Sequence, residues 1–312
     1  MHSLIEMLKY RRPQGSKTQA KFCKRFLEPV FGKPDSDGNY VMTIGDSPRV
    51  MFTAHHDTVH TRDGFQIVSV TGDIATTQDK DSNCLGADCT TGIWLILGMI
   101  EHSIPGLYVI FAAEESGCVG SRAMANSSPD YLDRVQACIS FDRKGQESIV
   151  THQCGMRTAS DAFAVSLSQI LDMSCLRPDP TGVYTDSESF AHIIPECTNV
   201  SVGYLAQHSK QESQDLFFAD SLLESLIKAD WQSLVIEREP DETFCEDYCW
   251  GGFDRGFSGR AHSNLKELER IAREYPDAIA ELLDSYGMTP DDIYQELGLN
   301  PYYDASPTYL ER

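Results

Sequence analysis

Four stretches constrain the fold of this chain more than any other feature: "RVMFTAHHD" (49–57), "LYVIFAAEE" (107–115), "QACISFD" (136–142) and "TNVSVGYLAQH" (198–208). Each has strand length and is rich in β-branched or aromatic residues. Each is continuous rather than alternating, as expected of strands covered on both faces. Helix-like segments separate them, at 90–102, about 120–135, about 157–172 and about 187–193. This alternation predicts an α/β fold with a largely parallel core sheet. The stretch "GFQIVSVTGDIATTQD" (64–79) alternates around a "TGD" turn and predicts a hairpin at a sheet edge. Helices are also expected at about 2–10 and 16–28, and over 218–238.

After residue 238 the character changes. Residues 239–263 are rich in Gly and charge without a period and read as a linker or irregular lid. Short helices are then expected in "NLKELERIAREYPDAIAELLDSYG" and "TPDDIYQELGLNP", the second opened by Thr289 and Pro290 and closed by Gly298. A domain boundary is therefore expected near 240, with 1–238 as the catalytic unit and 239–312 as an acidic linker and helical C-terminal extension. That extension is a solvated surface, or an interface for an oligomer or partner.

The chain has 312 residues and a formal net charge of −21. That balance argues against nucleic acid and anionic membrane as partners, because phosphate contacts need clustered Lys and Arg. No apolar stretch reads as a signal peptide or membrane span. The ten cysteines are scattered singly, several in apolar runs, and read as free thiols of a cytoplasmic protein. Cys245 and Cys249, with His262, offer part of a small zinc site that lacks an evident fourth ligand.

The four apolar runs share one further property. Each ends in a metal-capable or ionisable side chain: His55 and Asp57, Glu114 and Glu115, Asp142, His208. Open α/β sheets bind ligands outside the carboxyl ends of their strands. A fifth element, "LGADCTTG" (85–92), places Asp88 in a Gly-flanked turn before the most apolar helix. Taken singly, each residue has an ordinary reading: Asp142 could pair with Arg143 or Lys144, and Asp88 could cap its helix. Together, two histidines and several carboxylates without a compensating Lys or Arg imply one or two divalent cations. Mixed N/O ligands suit zinc, with manganese or cobalt as alternatives.

The ordered set "HHD … GADCTTG … AAEESGCVGS … SFD … AQHSKQE" resembles the co-catalytic two-zinc exopeptidase superfamily over roughly residues 10–237. That superfamily includes bacterial and vesicular aminopeptidases, with carboxypeptidases, dipeptidases and N-deacylases as relatives. The resemblance implies a three-layer fold with a mixed, largely parallel sheet. It also implies a cofactor of two Zn2+ per chain, with Mn2+ or Co2+ as substitutes. By position, His55 and Asp142 would bind one metal, Glu115 and His208 the other, and Asp88 would bridge them. Glu114 would be the general base, and Asp57 would orient His55. Tyr184 and Asp186 fall in a loop that borders the active site in relatives, where Tyr184 would meet an oxyanion.

The residues make chemical sense in those roles. Side chains alternate along a strand, so His55 shares a face with Asp57 while His56 points away. A ligating imidazole normally gives its other N–H to a carboxylate. Two metals roughly 3.5–4 Å apart lower the pKa of a shared water, which then needs a base that is not itself a ligand. Adjacent glutamates can divide those tasks. One position departs from the family: the usual Asp or Asn after the bridging aspartate is Cys89, at a peptide bond often cis in relatives. Many carboxypeptidase- and deacylase-type relatives insert a dimerisation domain between the equivalents of Asp142 and His208. Here about 65 residues separate them, which favours an aminopeptidase layout without a lid domain. The expected substrate is a peptide or an N-acyl amino acid. A deacylase, dipeptidase or carboxypeptidase, or a non-catalytic metal-binding scaffold, stand as alternatives.

Overall fold

The computed structural model describes residues 2–127 and 129–240, together with Arg273 and Pro276. The chain divides into two units, Met1–Cys249 and Trp250–Arg312. Of the helices expected between 264 and 300, only Arg273 and Pro276 are described, both helical; the remainder, and the Cys245, Cys249 and His262 group, lie outside the described residues.

A seven-stranded sheet forms the centre of the first unit. Its strands in chain order are β1 (Tyr40–Ile44), β2 (Val50–His55), β3 (Gly106–Phe111), β4 (Ala137–Arg143), β5 (Ser148–Val150), β6 (Arg177–Asp179) and β7 (Glu196–Ser201). In space the order is β6-β5-β7-β4-β2-β3-β1. Neighbours among β7, β4, β2 and β3 are all parallel. They are the four strands read from the sequence, and they occupy the middle of the sheet. The antiparallel partner β1 closes one edge.

Burial explains their continuous apolar character. Phe52 and Ala54 of β2 enter one core and Met51 the other, while Ile139 and Phe141 of β4 oppose Cys138 in the same way. Period-2 alternation therefore distributes each strand between two cores, giving three layers. On one side lie α1 (Ala87–Glu101), α3 (Asp161–Ile170) and α4 (Leu216–Lys228). On the other are α2 (Val119–Ser127) and a tight turn at Asp186–Phe190. Every residue of α1 from Ala87 to Met99 is buried, which accounts for its apolar composition on all faces. Gly92 allows this helix to sit directly on the sheet, since a Cβ there would lie 2.2 Å from the Phe141 carbonyl oxygen.

Several sequence expectations shift. The run 198–208 is not one strand: β7 ends at Ser201, and Gly203 (φ 93°) turns the chain into a separate sheet through Tyr204–Leu205. That four-stranded sheet also takes Ser213–Asp215 and the expected hairpin, Val68–Thr71 with Ile74–Thr77. The hairpin is thus at the edge of the small sheet, not of the core sheet. The expected helix over 218–238 stops at Lys228, where Asp230 caps a short turn at Trp231–Ser233 and the chain runs on extended. The segment at 187–193 is only the turn Asp186–Phe190, and Pro129 separates α2 from the turn Asp130–Leu132. Near the N-terminus, Leu4–Met7 gives way to a strand at Tyr10–Arg11 paired with Gly64–Phe65. No described helix is long and apolar enough to cross a membrane.

Candidate metal centre

The carboxyl ends of β2, β3 and β4 and the start of α1 converge, and His208 reaches them from beyond the small-sheet strand Tyr204–Leu205. Two groups of donors result. In the first, His55 Nε2 lies 3.5 Å from Asp142 Oδ1 and 3.9 Å from Glu114 Oε2. In the second, His208 Nε2 lies 3.0 Å from Asp88 Oδ2 and 3.4 Å from Glu115 Oε1. The two are contiguous: donor atoms of His55, Glu114 and Glu115 lie within 4.8 Å of one another, as do those of His55, Asp88 and Cys89.

Backbone geometry aims these side chains. Ala113 (φ 57°) bends the chain immediately before Glu114, and His208 itself has φ 60°. A non-glycine residue held in this region is strained by about 1–3 kcal/mol, and such strain concentrates at functional sites. Asp57, fully buried, ties two strand ends together: its Oδ1 accepts from Glu114 N and its Oδ2 from Glu115 N, each at 3.2 Å. Its Oδ1 also lies 3.4 Å from His55 Nδ1, although that nitrogen makes no hydrogen bond. His56 turns the other way, to Gln19 and the Gly38 carbonyl. Asp142 is not held by Arg143, which pairs with Asp179; its Oδ2 instead accepts from Thr185 Oγ1 at 2.7 Å.

Asp88 satisfies one first-turn N–H of α1, its Oδ1 accepting from Cys89 N at 2.7 Å, while its Oδ2 faces His208. Glu212 takes the others, accepting from Leu85 N, Gly86 N and Ala87 N. The peptide bond from Asp88 to Cys89 is trans. Cys89 is fully buried; its Sγ donates to Asp57 O and accepts from Arg12 Nη2. Tyr184 is half-exposed, and burial together with the charge of Glu114 pushes its phenol up to about 12. Asp186 is 1 % exposed, near enough for its charge to act on Glu114, and burial lifts its carboxyl to about 8.

The electrostatics of the cluster call for a cation. Burial pushes Glu114 well above the ordinary carboxylate range, against the opposing charge of His55. Glu115 also moves up through burial. Burial alone would lower both imidazoles, but the surrounding carboxylates raise His55 well above its ordinary value and His208 to about 11. So many like charges in a dry site repel strongly unless a dication sits among them. Glu115 Oε1 is buried with no hydrogen-bond partner, and His55 Nδ1 is buried likewise. The His/Asp/Glu donor set therefore fits a divalent metal.

Sequence reasoning missed Glu212 and Arg12. Glu212 stands four residues past His208, but nothing in the sequence marks it as the cap of a helix 125 residues earlier. Arg12 is entirely buried, whereas arginine is ordinarily a surface residue.

The fold is similar to that of known peptidases, and the cluster offers donors for a divalent metal. Residues 39–176 match the family model Peptidase family M28, a span that takes in His55, Asp57, Asp88, Glu114, Glu115 and Asp142 and ends before Tyr184, Asp186 and His208. Solved structures share the fold. Aminopeptidase PepT from Bacillus cereus is 15% identical with a TM-score of 0.58, over 72% of this chain and 96% of that one. A tripeptidase from Staphylococcus aureus is 13% identical with a TM-score of 0.59, over 72% and 95%. The TET1 peptidase of Pyrococcus horikoshii, described as assembling into a tetrahedron or a large octahedral shell, is 16% identical with a TM-score of 0.53, over 73% and 100%. A search of curated proteins finds no significant match.

Proposed function

We propose that this chain is an aminopeptidase-type exopeptidase working with two zinc ions. The observation that carries the proposal is the split of the cluster into two donor groups, one around His55 and one around His208, with Glu114 as the extra carboxylate 3.9 Å from His55. His55 and Asp142 would hold one ion, Glu115 and His208 the other, and Asp88 both. Bound there, the metal pair would supply Lewis acidity toward a scissile carbonyl and a water of lowered pKa. Glu114 would accept a proton from the attacking water at a carboxylate oxygen and pass it to the nitrogen of the leaving amine. Asp57 keeps Glu114 and Glu115 in register through their backbone N–H groups. Tyr184, whose phenol stays protonated at neutral pH, donates toward the oxyanion.

The short stretch of about 65 residues between Asp142 and His208 supports the aminopeptidase layout. We place the catalytic domain at 1–238 without a lid insertion, and assign the extension 239–312 to oligomer contacts. Six buried free thiols among the described residues favour a reducing compartment.

Metal analysis of purified protein, alongside digestion of a library of free and N-acetylated peptides, tests the reading. Two zinc equivalents and release of N-terminal residues from free peptides alone are expected. Cleavage of N-acetylated substrates with intact N-termini left uncut would overturn it in favour of a deacylase.

A further inference from the structure

We infer that Arg12 is a positioning residue of the metal centre, locking the end of β2 to the first turn of α1 so that His55 and Asp88 face one another. The inference rests on the proposed role of His55 and Asp88 as metal ligands. Arg12 is 0% exposed, and its guanidinium carbon lies 3.9 Å from the centre of the Phe22 ring. A guanidinium so buried is costly unless its setting compensates. Yet its hydrogen bonds go to neutral acceptors, and Nη1 has no partner at all. Nε donates to His56 O at 3.2 Å, and Nη2 donates to Cys89 Sγ at 2.8 Å and Thr90 Oγ1 at 2.9 Å.

Those acceptors are not scattered through the core. His56 lies between His55 and Asp57, and Cys89 and Thr90 directly follow Asp88. The backbone of Arg12 completes the clamp: its N–H donates to Thr58 Oγ1, and its carbonyl accepts from Thr58 N, both at 3.0 Å. Cys89 links the two sides, because its thiol also donates to Asp57 O at 3.0 Å. The residue that departs from the family pattern is thus a neutral relay between Arg12 and the strand end that carries His55. A lysine keeps the charge but lacks the planar fork that spans these acceptors.

The test uses the full-length protein, stripped of metal and reloaded. Zinc affinity is measured by chelator competition, and the melting temperature of the metal-free form is recorded for the parent, Arg12→Lys, Arg12→Met and Cys89→Ala. Loss of a group that orients ligands typically weakens metal binding by about 10–100-fold. That loss is expected for both Arg12 variants, with a smaller loss for Cys89→Ala. If Arg12 is only a core strut, folded Arg12→Lys and Cys89→Ala bind zinc within about twofold of the parent, and the inference falls. Should Arg12→Met not fold, those two variants decide. A parent that binds zinc but cleaves no peptide defeats the exopeptidase reading and leaves this comparison intact.

Discussion

Glu114 and Glu115 are adjacent, buried and alike in charge, and what each faces sets them apart. Glu115 looks to His208 and Glu114 to His55. Removing a general base costs about 10²–10⁴-fold in rate. Glu114→Gln is therefore expected to lose turnover on that scale while holding its full zinc complement, checked by metal analysis beside kinetics. Wild-type turnover in that variant would reassign the base. His208 supports a second prediction. Its carboxylate partners raise it to about 11. A histidine raised in the folded state stabilises the metal-free fold fully below its unfolded value of about 6.5. That contribution is lost as pH rises through about 11. At pH 7 the metal-free site thus carries a proton on His208 that zinc must displace. Titration calorimetry in buffers of different ionisation enthalpy should show protons released on loading; none released would refute the assignment. At this scale the sequence exposed the ionisable side chains at the strand ends, because their residue types are unusual there. It hid Arg12 and Glu212, whose roles arise only from burial against segments distant in the chain.

At the scale of elements, α1 sets the distance between the two donor groups. Its N-terminus is capped by Glu212, and its positive dipole end faces the carboxylates. Its middle rests on β4 through Gly92, against the strand position that precedes Asp142. A methyl group there, 2.2 Å from the Phe141 carbonyl oxygen, forces the helix off the sheet. Overpacking of this kind costs about 1–3 kcal/mol. Gly92→Ala is expected to melt lower and to bind zinc more weakly, because Asp88 moves with the helix while Asp142 stays. A variant that melts with the parent would show that the contact relaxes locally. The four central strands were readable because burial on both faces leaves unbroken apolar runs. The short strands β5 and β6, and the turn at Gly203 that sends His208 round through the second sheet, left no comparable pattern. Their pairing depends on partners remote in sequence, not on local periodicity.

For the whole molecule, the question is where the catalytic unit ends. After α4 the chain does not leave the unit at once. Trp231 packs edge-on against Phe52, ring centroids 4.8 Å apart, in the middle of the sheet. The fully buried Glu196 carboxylate at the start of β7 then accepts from Ser160 N and from the backbone N–H groups of Glu237 and Arg238. The Arg238 guanidinium in turn donates to the carbonyls of Ala191, Ile194 and Pro195. This lacing fastens the C-terminal end of the unit to the turn beneath Asp186 and to the cap of α3. A chain ending at 249, where the division between units falls, keeps every one of these bonds. It is expected to melt cooperatively and to match the full protein in zinc affinity and peptide turnover. A chain ending at 234 keeps Trp231 but leaves the buried Glu196 without two of its donors. Stranding part of a buried carboxylate's hydrogen bonding costs about 1–3 kcal/mol or more, so the shorter chain should melt measurably lower. Comparing the two truncations by thermal melting and metal loading separates the roles of the two segments. Equal stability of both would place the boundary before residue 235, and loss of turnover in the longer one would give residues 250–312 a part in catalysis.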